Sequence, residues 1–205
     1  MQQHLRHYFA TLAESIELAE ASDGNGCPMA LAAWSEGALA LLAGVKANGG
    51  KVMFVGNGGS AGICSHMATD FAKNAGLPAL AFNDGAQLTC LGNDLGYGEV
   101  FAYPVRLHGR PGDLLVAISS SGRSANILNA VAAARAVGAR TLTFSGFSAD
   151  NPLRRAGDLN LYVPARDYGF VEVAHQAWCH ALIDLHMGWQ PGKGLWAAIT
   201  AEVPS

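Results

Sequence analysis

The sequence predicts a doubly wound α/β fold built on a parallel five-stranded sheet flanked by helices. From Lys51 onward, short apolar runs without polar alternation occur at residues 52–55, 79–82, 114–118, 141–144 and 159–163. Such runs are typical of strands that are buried on both faces of a parallel sheet. Helical stretches separate the runs, at residues 61–74, 86–92, 99–108, 125–137 and 151–156. This alternation indicates right-handed βαβ units, and a chain of 205 residues that is half apolar can bury one core.

Two apolar helices are predicted ahead of the sheet, within residues 1–50. In the first, over residues 3–21, apolar side chains recur at helical spacing, namely Leu5, Tyr8, Phe9, Leu12, Ile16 and Leu18. The turn-forming segment DGNG at 23–26 ends it, and a second helix over 29–48 closes at NGG. We expect both helices to pack together, on the sheet or on a neighbouring subunit.

One domain accounts for the whole chain, with residues 51–187 as its layered core and residues 188–205 as a tail without an assigned function. A last helix, at about 169–187, follows the fifth strand. In open α/β sheets, ligands bind beyond the carboxyl ends of the strands. The candidate binding loops are therefore 56–60, 83–85, 119–124 and 145–150.

The composition argues against several classes of function. The net charge is -3 and no basic excess marks a nucleic-acid surface, so we expect no nucleic-acid partner. No apolar stretch is long enough to span a bilayer, and the N-terminus lacks the apolar core of a signal peptide. The four cysteines form no CxxC pair and are interpreted as reduced thiols. These features predict a cytoplasmic protein without a membrane partner.

Two polar loops at neighbouring strand ends indicate a phosphate site. In the segment GNGGS at 56–60, glycines permit close approach of an anion and Ser60 offers a hydroxyl at a helix N-terminus. Alone, this loop is equally well explained as an ordinary strand-to-helix turn. The segment SSSGRS at 119–124 adds four hydroxyls and a glycine before the next helix, without the GK[ST] ending of a Walker loop. Together the two loops favour phosphate binding over two capped turns.

A possible metal half-site lies on the helix after the glycine-rich loop. His66 and Asp70 are four residues apart and therefore share a helix face, although such a pair is more often a surface or core pair. The last helix adds Glu172, His175 and His180. Nitrogen and oxygen ligands from two helices would suit zinc or a similar divalent ion.

Four segments resemble the phosphoheptose isomerases of the sugar-isomerase (SIS) family in order and spacing, over about residues 30–187: GNGGS, GND at 92–94, GRPGD at 109–113 and ISSSG at 118–122. The resemblance implies a doubly wound SIS fold, a homotetramer with active sites at subunit interfaces, and a seven-carbon sugar 7-phosphate as substrate. It implies that the phosphate is held by Ser60, Ser119, Ser120, Ser121 and Ser124. It also implies sugar contacts from Asn57 and Asp84, with Gly58, Gly59, Asn93 and Asp94 in the substrate-binding motifs.

By the same resemblance, the family's four metal-binding or catalytic positions are occupied by His66, Asp70, Glu172 and His180, which implies one zinc or similar ion per subunit. The chain departs from the family pattern in having Asp70 where Glu is usual, Glu172 where Gln is usual, and Gly169 where an acid is frequent. Glu172 and His180 are eight residues apart, roughly 12 Å along a regular helix, so one ion can meet both only if the helix starts late or is irregular. His175 is a reserve ligand or acid, or equally a packed interface histidine.

The resulting hypothesis is an aldose–ketose isomerase that interconverts sedoheptulose 7-phosphate and an aldoheptose 7-phosphate through an enediol. Asp70 or Glu172 would carry the proton between C1 and C2, with His180 as acid or metal ligand. Packing between symmetry mates could bring His180 near Asp70 of another subunit. The alternatives are a non-catalytic SIS protein that binds a replication initiator or senses sugar phosphates, and an isomerase or epimerase of another sugar phosphate.

Overall fold

The structure is a computed structural model that describes residues 1–192, and its centre is a single sheet of seven strands. The strands are β1 (Glu20–Asp23), β2 (Pro28–Met29), β3 (Val52–Gly56), β4 (Ala79–Ala81), β5 (Leu114–Ser119), β6 (Arg140–Ser145) and β7 (Leu159–Tyr162). Their order across the sheet is β2-β1-β7-β6-β5-β3-β4. The five strands from β3 to β7 are mutually parallel, as the apolar runs predict.

The expectation of five strands is corrected by a short hairpin at one edge of the sheet. β1 pairs antiparallel with β7 and with β2, so the complete sheet is mixed and has seven strands. The segment DGNG forms the turn of this hairpin, in which Asp23 Oδ1 accepts from the backbone N–H groups of Asn25 and Cys27 at 2.9 and 2.8 Å. The first helix consequently ends at Glu17 and not at residue 21.

Seven α-helices flank the sheet in the described residues: α1 (Gln2–Glu17), α2 (Leu31–Ala47), α3 (Gly59–Lys73), α4 (Gly85–Asp94), α5 (Ala102–His108), α6 (Ala125–Ala136) and α7 (Tyr168–His186). Two predicted helical stretches are shorter than expected, because Tyr97–Glu99 and Pro152–Arg155 are 3-10 turns. No helix within residues 1–192 is long and apolar enough to cross a membrane. Most of the tail, residues 193–205, lies outside the described residues.

The two faces of the sheet bury two separate layers of side chains. Along β3, Val52 and Phe54 belong to one cluster, whereas Met53 and Val55 belong to the other. The first cluster is closed by α2, α3 and α7, and the second by α5 and α6. This double coverage explains why the strands read as unbroken apolar runs.

The N-terminal helices pack on the sheet layer and on α7. α2 places Trp34 against Phe144 and Trp178, with ring centroids 6.1 and 5.7 Å apart. α1 lies against α7, where the Trp178 indole N–H donates to the carbonyl of Ile16 at 3.2 Å. Both contacts steady α7, the helix that carries Glu172 and His180.

Candidate active site

A polar cavity of about 210 Å³ lies at the carboxyl ends of β3 and β5. Both predicted phosphate loops contribute to it. Nine of the predicted site residues line the cavity, together with Tyr168: Asn57, Gly58, Gly59, Ser60, Ser119, Ser120, Ser121, Ser124 and Glu172. The volume matches a phosphate group better than a whole sugar phosphate, since pockets for complete ligands usually exceed about 300 Å³.

Helix N-termini supply the positive potential of this cavity. α3 begins at Gly59, α6 begins after Ser124, and α7 begins at Tyr168. No lysine or arginine is among the described residues that line the cavity. An anion would therefore be held by backbone N–H groups, hydroxyls and helix dipoles, which is a common arrangement for phosphate.

Two glycines shape the loops that surround the cavity. Gly58 has φ 55° and ψ -123°, a conformation that residues with a side chain rarely adopt. Gly122 has φ 61°, and a Cβ there would overlap the side chain of Asn151. Asn151 is itself buried and accepts from the backbone N–H of Arg154 at 3.3 Å. The serine loop is thus fixed from behind by the segment after β6.

One buried hydroxyl in the serine loop has no internal partner. Ser119 Oγ accepts from the N–H of Gly122 at 3.2 Å, and Ser121 Oγ accepts from the N–H of Arg123 at 3.3 Å. The Ser120 hydroxyl is buried and has no hydrogen-bond partner among residues 1–192. Because buried hydroxyls are normally paired, this group indicates a ligand that accepts a hydrogen bond.

Three of the four predicted metal positions meet between α3 and α7. His66 Nε2 lies 3.3 Å and His180 Nδ1 lies 3.8 Å from Asp70 Oδ2. One ligand atom from each residue lies within 4.8 Å of the others. The three residues belong to one chain, so their meeting does not require a neighbouring subunit, contrary to the expectation from the sequence.

Glu172 is the exception, because it lies in the anion cavity and not with the other three. A Cβ on Gly59 would overlap its carboxylate, so Glu172 sits directly over the start of α3. The helix that carries it is regular from Tyr168 to His186, and eight residues of helix separate Glu172 from His180 by roughly 12 Å. The expectation that Glu172 joins His66, Asp70 and His180 around one ion is therefore corrected for the single chain.

Three further predicted residues lie outside the lining of the cavity. Asp84 caps α4, with its side chain accepting from the N–H of Gln87 at 2.9 Å. Asn93 and Asp94 end the same helix and are joined to each other by a hydrogen bond of 2.8 Å. In the single chain these residues therefore support α4 and do not contact the cavity.

His175 is a buried structural histidine beneath the site. Its Nε2 lies 3.0 Å from the carbonyl of Ser145, and because a carbonyl only accepts, Nε2 carries the proton. Burial lowers the pKa of His175 to about 4, so the ring is neutral at physiological pH. His175 is not part of the group formed by His66, Asp70 and His180.

Sequence reasoning missed three residues around the cavity. Tyr168 lines it from the first turn of α7. Tyr97 makes one hydrogen bond to Asn57, at 3.1 Å. Asn126 makes two hydrogen bonds to Asn57, at 3.0 and 2.9 Å. The available signals were weak: Asn126 lies two residues after Ser124, and Tyr97 stands between two glycines three residues after Asp94.

The cavity and the histidine–aspartate group lie along the same two helices. Ser60 and His66 are six residues apart on α3, roughly 9 Å along its axis, and Glu172 and His180 are roughly 12 Å apart on α7. These separations are of the same order as the length of an extended seven-carbon sugar phosphate.

Comparison with known proteins places this chain among sugar-phosphate enzymes. Residues 31–146 match the SIS domain. The phosphoheptose isomerase of Rhodospirillum rubrum is 36% identical over 192 residues, which cover 90% of this chain and 96% of that protein. The structure of a phosphoheptose isomerase from Neisseria gonorrhoeae is similar with a TM-score of 0.75 at 30% identity, covering 90% of this chain and 98% of that one. The structure of a phosphoheptose isomerase from Francisella tularensis is similar with a TM-score of 0.78 at 28% identity, covering 92% of this chain and 99% of that one.

Proposed function

The chain belongs to the SIS-domain family and, within it, to the phosphoheptose isomerases, and we propose that it interconverts sedoheptulose 7-phosphate and an aldoheptose 7-phosphate. The observation that carries the choice of substrate is the arrangement along α3 and α7, with an anion cavity at the helix starts and a His–Asp–His group farther along. A phosphate in the cavity would direct the other end of a seven-carbon chain toward that group.

The phosphate end of the substrate is assigned to the cavity. Five serine residues and three helix N-termini line it, and the unpaired hydroxyl of Ser120 offers a donor that needs an acceptor. Glu172 brings a negative charge into the same cavity. A phosphate dianion would repel that carboxylate, and we therefore place Glu172 toward a sugar hydroxyl, which can donate to it.

A divalent ion such as zinc fits the group formed by His66, Asp70 and His180. Two imidazole nitrogens and one carboxylate oxygen form the type of three-ligand set that leaves a coordination position open in catalytic zinc sites. An ion bound there would supply electrophilic stabilisation of negative charge on the substrate oxygens.

Asp70 is the residue that we assign to proton transfer. Its Oδ2 makes the contacts to both imidazoles, which leaves Oδ1 for the substrate. In the ketose-to-aldose direction, Asp70 takes the proton from C1 while the C2 carbonyl oxygen gains a proton, giving the enediol. The same carboxyl then returns a proton to C2 as the O1 hydroxyl loses its own, giving the aldose. His180, whose side chain is 38% exposed, would either hold the ion as a ligand or exchange protons with these oxygens as an acid.

Proton exchange with D2O tests this assignment directly. The wild-type protein is incubated in D2O with ketose phosphates of five to seven carbons, and the exchange of each sugar's C1 proton is followed by NMR. The exchange rate should be highest for sedoheptulose 7-phosphate. Asp70→Asn keeps the size of the side chain and removes its basic oxygen. It should slow exchange by about 10²-fold or more, since general acid–base groups typically contribute 10²–10⁴-fold in rate.

Two controls separate a lost base from a damaged protein. Glu36→Gln removes an exposed carboxylate on α2 and should leave the exchange rate unchanged. Asp70→Asn should retain the affinity for inorganic phosphate, because the cavity is unaltered. If Asp70 is mainly a metal ligand, the variant will also lose zinc on elemental analysis, and added zinc will partly restore the rate. Equal exchange rates in wild type and Asp70→Asn would contradict the assignment, and no exchange with any ketose phosphate would favour a non-catalytic sugar-phosphate-binding protein.

A further inference from the structure

The hydroxyl of Tyr97 forms a hydrogen bond to the glycine-rich loop that lines the anion cavity. Tyr97 begins the 3-10 turn after α4, and its hydroxyl donates to Asn57 Oδ1 at 3.1 Å. The same turn is held against α6, where Asn129 Nδ2 donates to the carbonyl of Gly98 at 3.0 Å. Tyr97 is 64% exposed in the single chain and is anchored through its hydroxyl and its neighbouring backbone, not through burial of its ring.

Asn57 and Asn126 form a closed pair of side-chain amides. Asn57 Nδ2 donates to Asn126 Oδ1 at 3.0 Å, and Asn126 Nδ2 donates back to Asn57 Oδ1 at 2.9 Å. Asn126 is 2% exposed and belongs to the first turn of α6. The pair therefore joins the glycine-rich loop to the helix that follows the serine loop.

The hydrogen bonds of Asn57 determine which part of its amide can contact a ligand. An amide oxygen has two acceptor lone pairs, and an amide nitrogen has two donor hydrogens. Oδ1 of Asn57 accepts from both Asn126 and Tyr97, so its acceptor capacity is used. Nδ2 gives one hydrogen to Asn126 and retains the other. Asn57 therefore presents a donor, and not an acceptor, to the cavity that it lines.

We propose that Tyr97 is a positioning residue that sets specificity for the sugar by holding Asn57 as a hydrogen-bond donor. The inference rests on the proposed function, because it assigns the free N–H of Asn57 to a sugar oxygen. Serine hydroxyls and helix N-termini already serve the phosphate, and a neutral amide N–H is the kind of group that contacts a hydroxyl oxygen. Loss of the Tyr97 hydroxyl leaves Asn57 held by Asn126 alone and frees a lone pair on Asn57 Oδ1, so that the amide also offers an acceptor beside its donor.

Tyr97→Phe tests the proposal because it removes one oxygen and keeps the ring. We expect the Kd and KM for sedoheptulose 7-phosphate to rise by about threefold to tenfold, as on losing one neutral hydrogen bond, with a smaller change in kcat. The Kd for inorganic phosphate and the midpoint of thermal unfolding should remain at wild-type values. Tyr103→Phe is the matched control, since Tyr103 is a 42% exposed tyrosine on α5 and does not line the cavity.

Three results would overturn the proposal. One is unchanged affinity for the sugar phosphate in Tyr97→Phe. Another is equal weakening for sugar phosphate and inorganic phosphate, which would indicate a general effect on the cavity. The third is a wild-type protein that binds neither ligand, which overturns the proposed function as well. A wild type that binds sugar phosphate without turnover would overturn the isomerase reaction alone, because the two Kd values still report on Tyr97.

Discussion

Gly59 illustrates how closely single atoms define the anion cavity. The residue is the first of α3, and the space where a Cβ would lie is taken by the carboxylate of Glu172. Because that carboxylate is the end of a flexible side chain, the fold can accommodate a methyl group by moving it. The cavity cannot accommodate both groups together with an anion, because the methyl group and the displaced carboxylate would then occupy its small volume.

Gly59→Ala should therefore weaken binding and spare stability. We expect the Kd for inorganic phosphate to rise about tenfold or more, equivalent to at least ~1.4 kcal/mol, as measured by calorimetry. Gly62→Ala on the same helix is the matched control, because nothing lies within 4 Å of its Cβ position. That variant should bind phosphate normally and gain roughly 0.5–1 kcal/mol from replacing a helical glycine. Similar phosphate affinities in the two variants would contradict the geometry assigned to Glu172.

His175 gives a second residue-level prediction, on the pH dependence of stability. Its pKa is about 4 in the folded protein and near 6.5 when the chain is unfolded, so between these values the unfolded state binds more protons. The folded state therefore keeps its full stability above about pH 6.5, and the free energy of unfolding decreases as the pH falls toward 4. Between pH 7.5 and pH 5 the loss from this group should be about 2 kcal/mol in the free energy of unfolding.

Denaturation with urea at several pH values measures this effect. His175→Gln can still donate to the carbonyl of Ser145 but does not titrate, so its stability should fall less steeply between pH 7.5 and pH 5. His186, half-buried near the end of α7, provides the control through His186→Gln, which should retain the wild-type slope. Parallel profiles for wild type and His175→Gln would show that the buried ring does not carry the linkage.

At the scale of elements, the strands of the parallel sheet could be predicted and the edge hairpin could not. Runs such as 114–118 are apolar at every position because helix layers cover both faces of the sheet. An unbroken apolar run is a strong sequence signal for such a strand. β1 and β2 contain four and two residues and bury little apolar surface, so no periodicity reveals them. The cavity loops were likewise readable from glycine and serine spacing. Tyr97 was not, because its place beside Asn57 depends on how α4 and α6 pack in three dimensions.

The turn before β5 ties the strands together at the edge opposite the cavity. Asp113 is 1% exposed and accepts from the N–H and the Nζ of Lys51 at 2.9 and 2.5 Å, and from the N–H of Arg110 at 3.0 Å. These bonds join the starts of β3 and β5. The GRPGD segment therefore has a structural role here, far along the strands from the site.

Asp113→Ala should consequently lower stability without changing ligand binding. Removing one partner of a buried ion pair typically costs 3–5 kcal/mol, and we expect roughly 3 kcal/mol because the Lys51 side chain keeps some exposure. Asp150→Ala removes the partner of Arg123 in a well-exposed pair and should change stability little. Urea denaturation gives the free energies, and phosphate affinity should match wild type in both variants. An equal, small loss in both would contradict the role given to Asp113.

At the scale of the whole molecule, α1 presents apolar side chains that the single chain leaves uncovered. Leu5, Tyr8 and Phe9 are 52%, 46% and 61% exposed, although Tyr8 also packs against Phe170 with ring centroids 4.8 Å apart. Contiguous exposed apolar side chains of this size usually mark an interface. α1 covers the first turns of α7, which line the cavity, so burial of α1 between subunits would also steady the site.

We expect the protein to assemble as a homotetramer through the α1 face. Light scattering should report about four times the 21.3 kDa chain mass. Phe9→Glu places a charge in the apolar face and should shift the mass toward smaller species, because burying an unpaired carboxylate is costly. Thr11→Glu, two residues along and on another face of the same helix, should leave the tetramer intact.

Since His66, Asp70 and His180 already meet within one chain, Phe9→Glu should retain zinc binding while it loses assembly. A wild-type protein that is monomeric and fully active would refute the interface, and loss of zinc on dissociation would show that a neighbouring subunit completes the metal site.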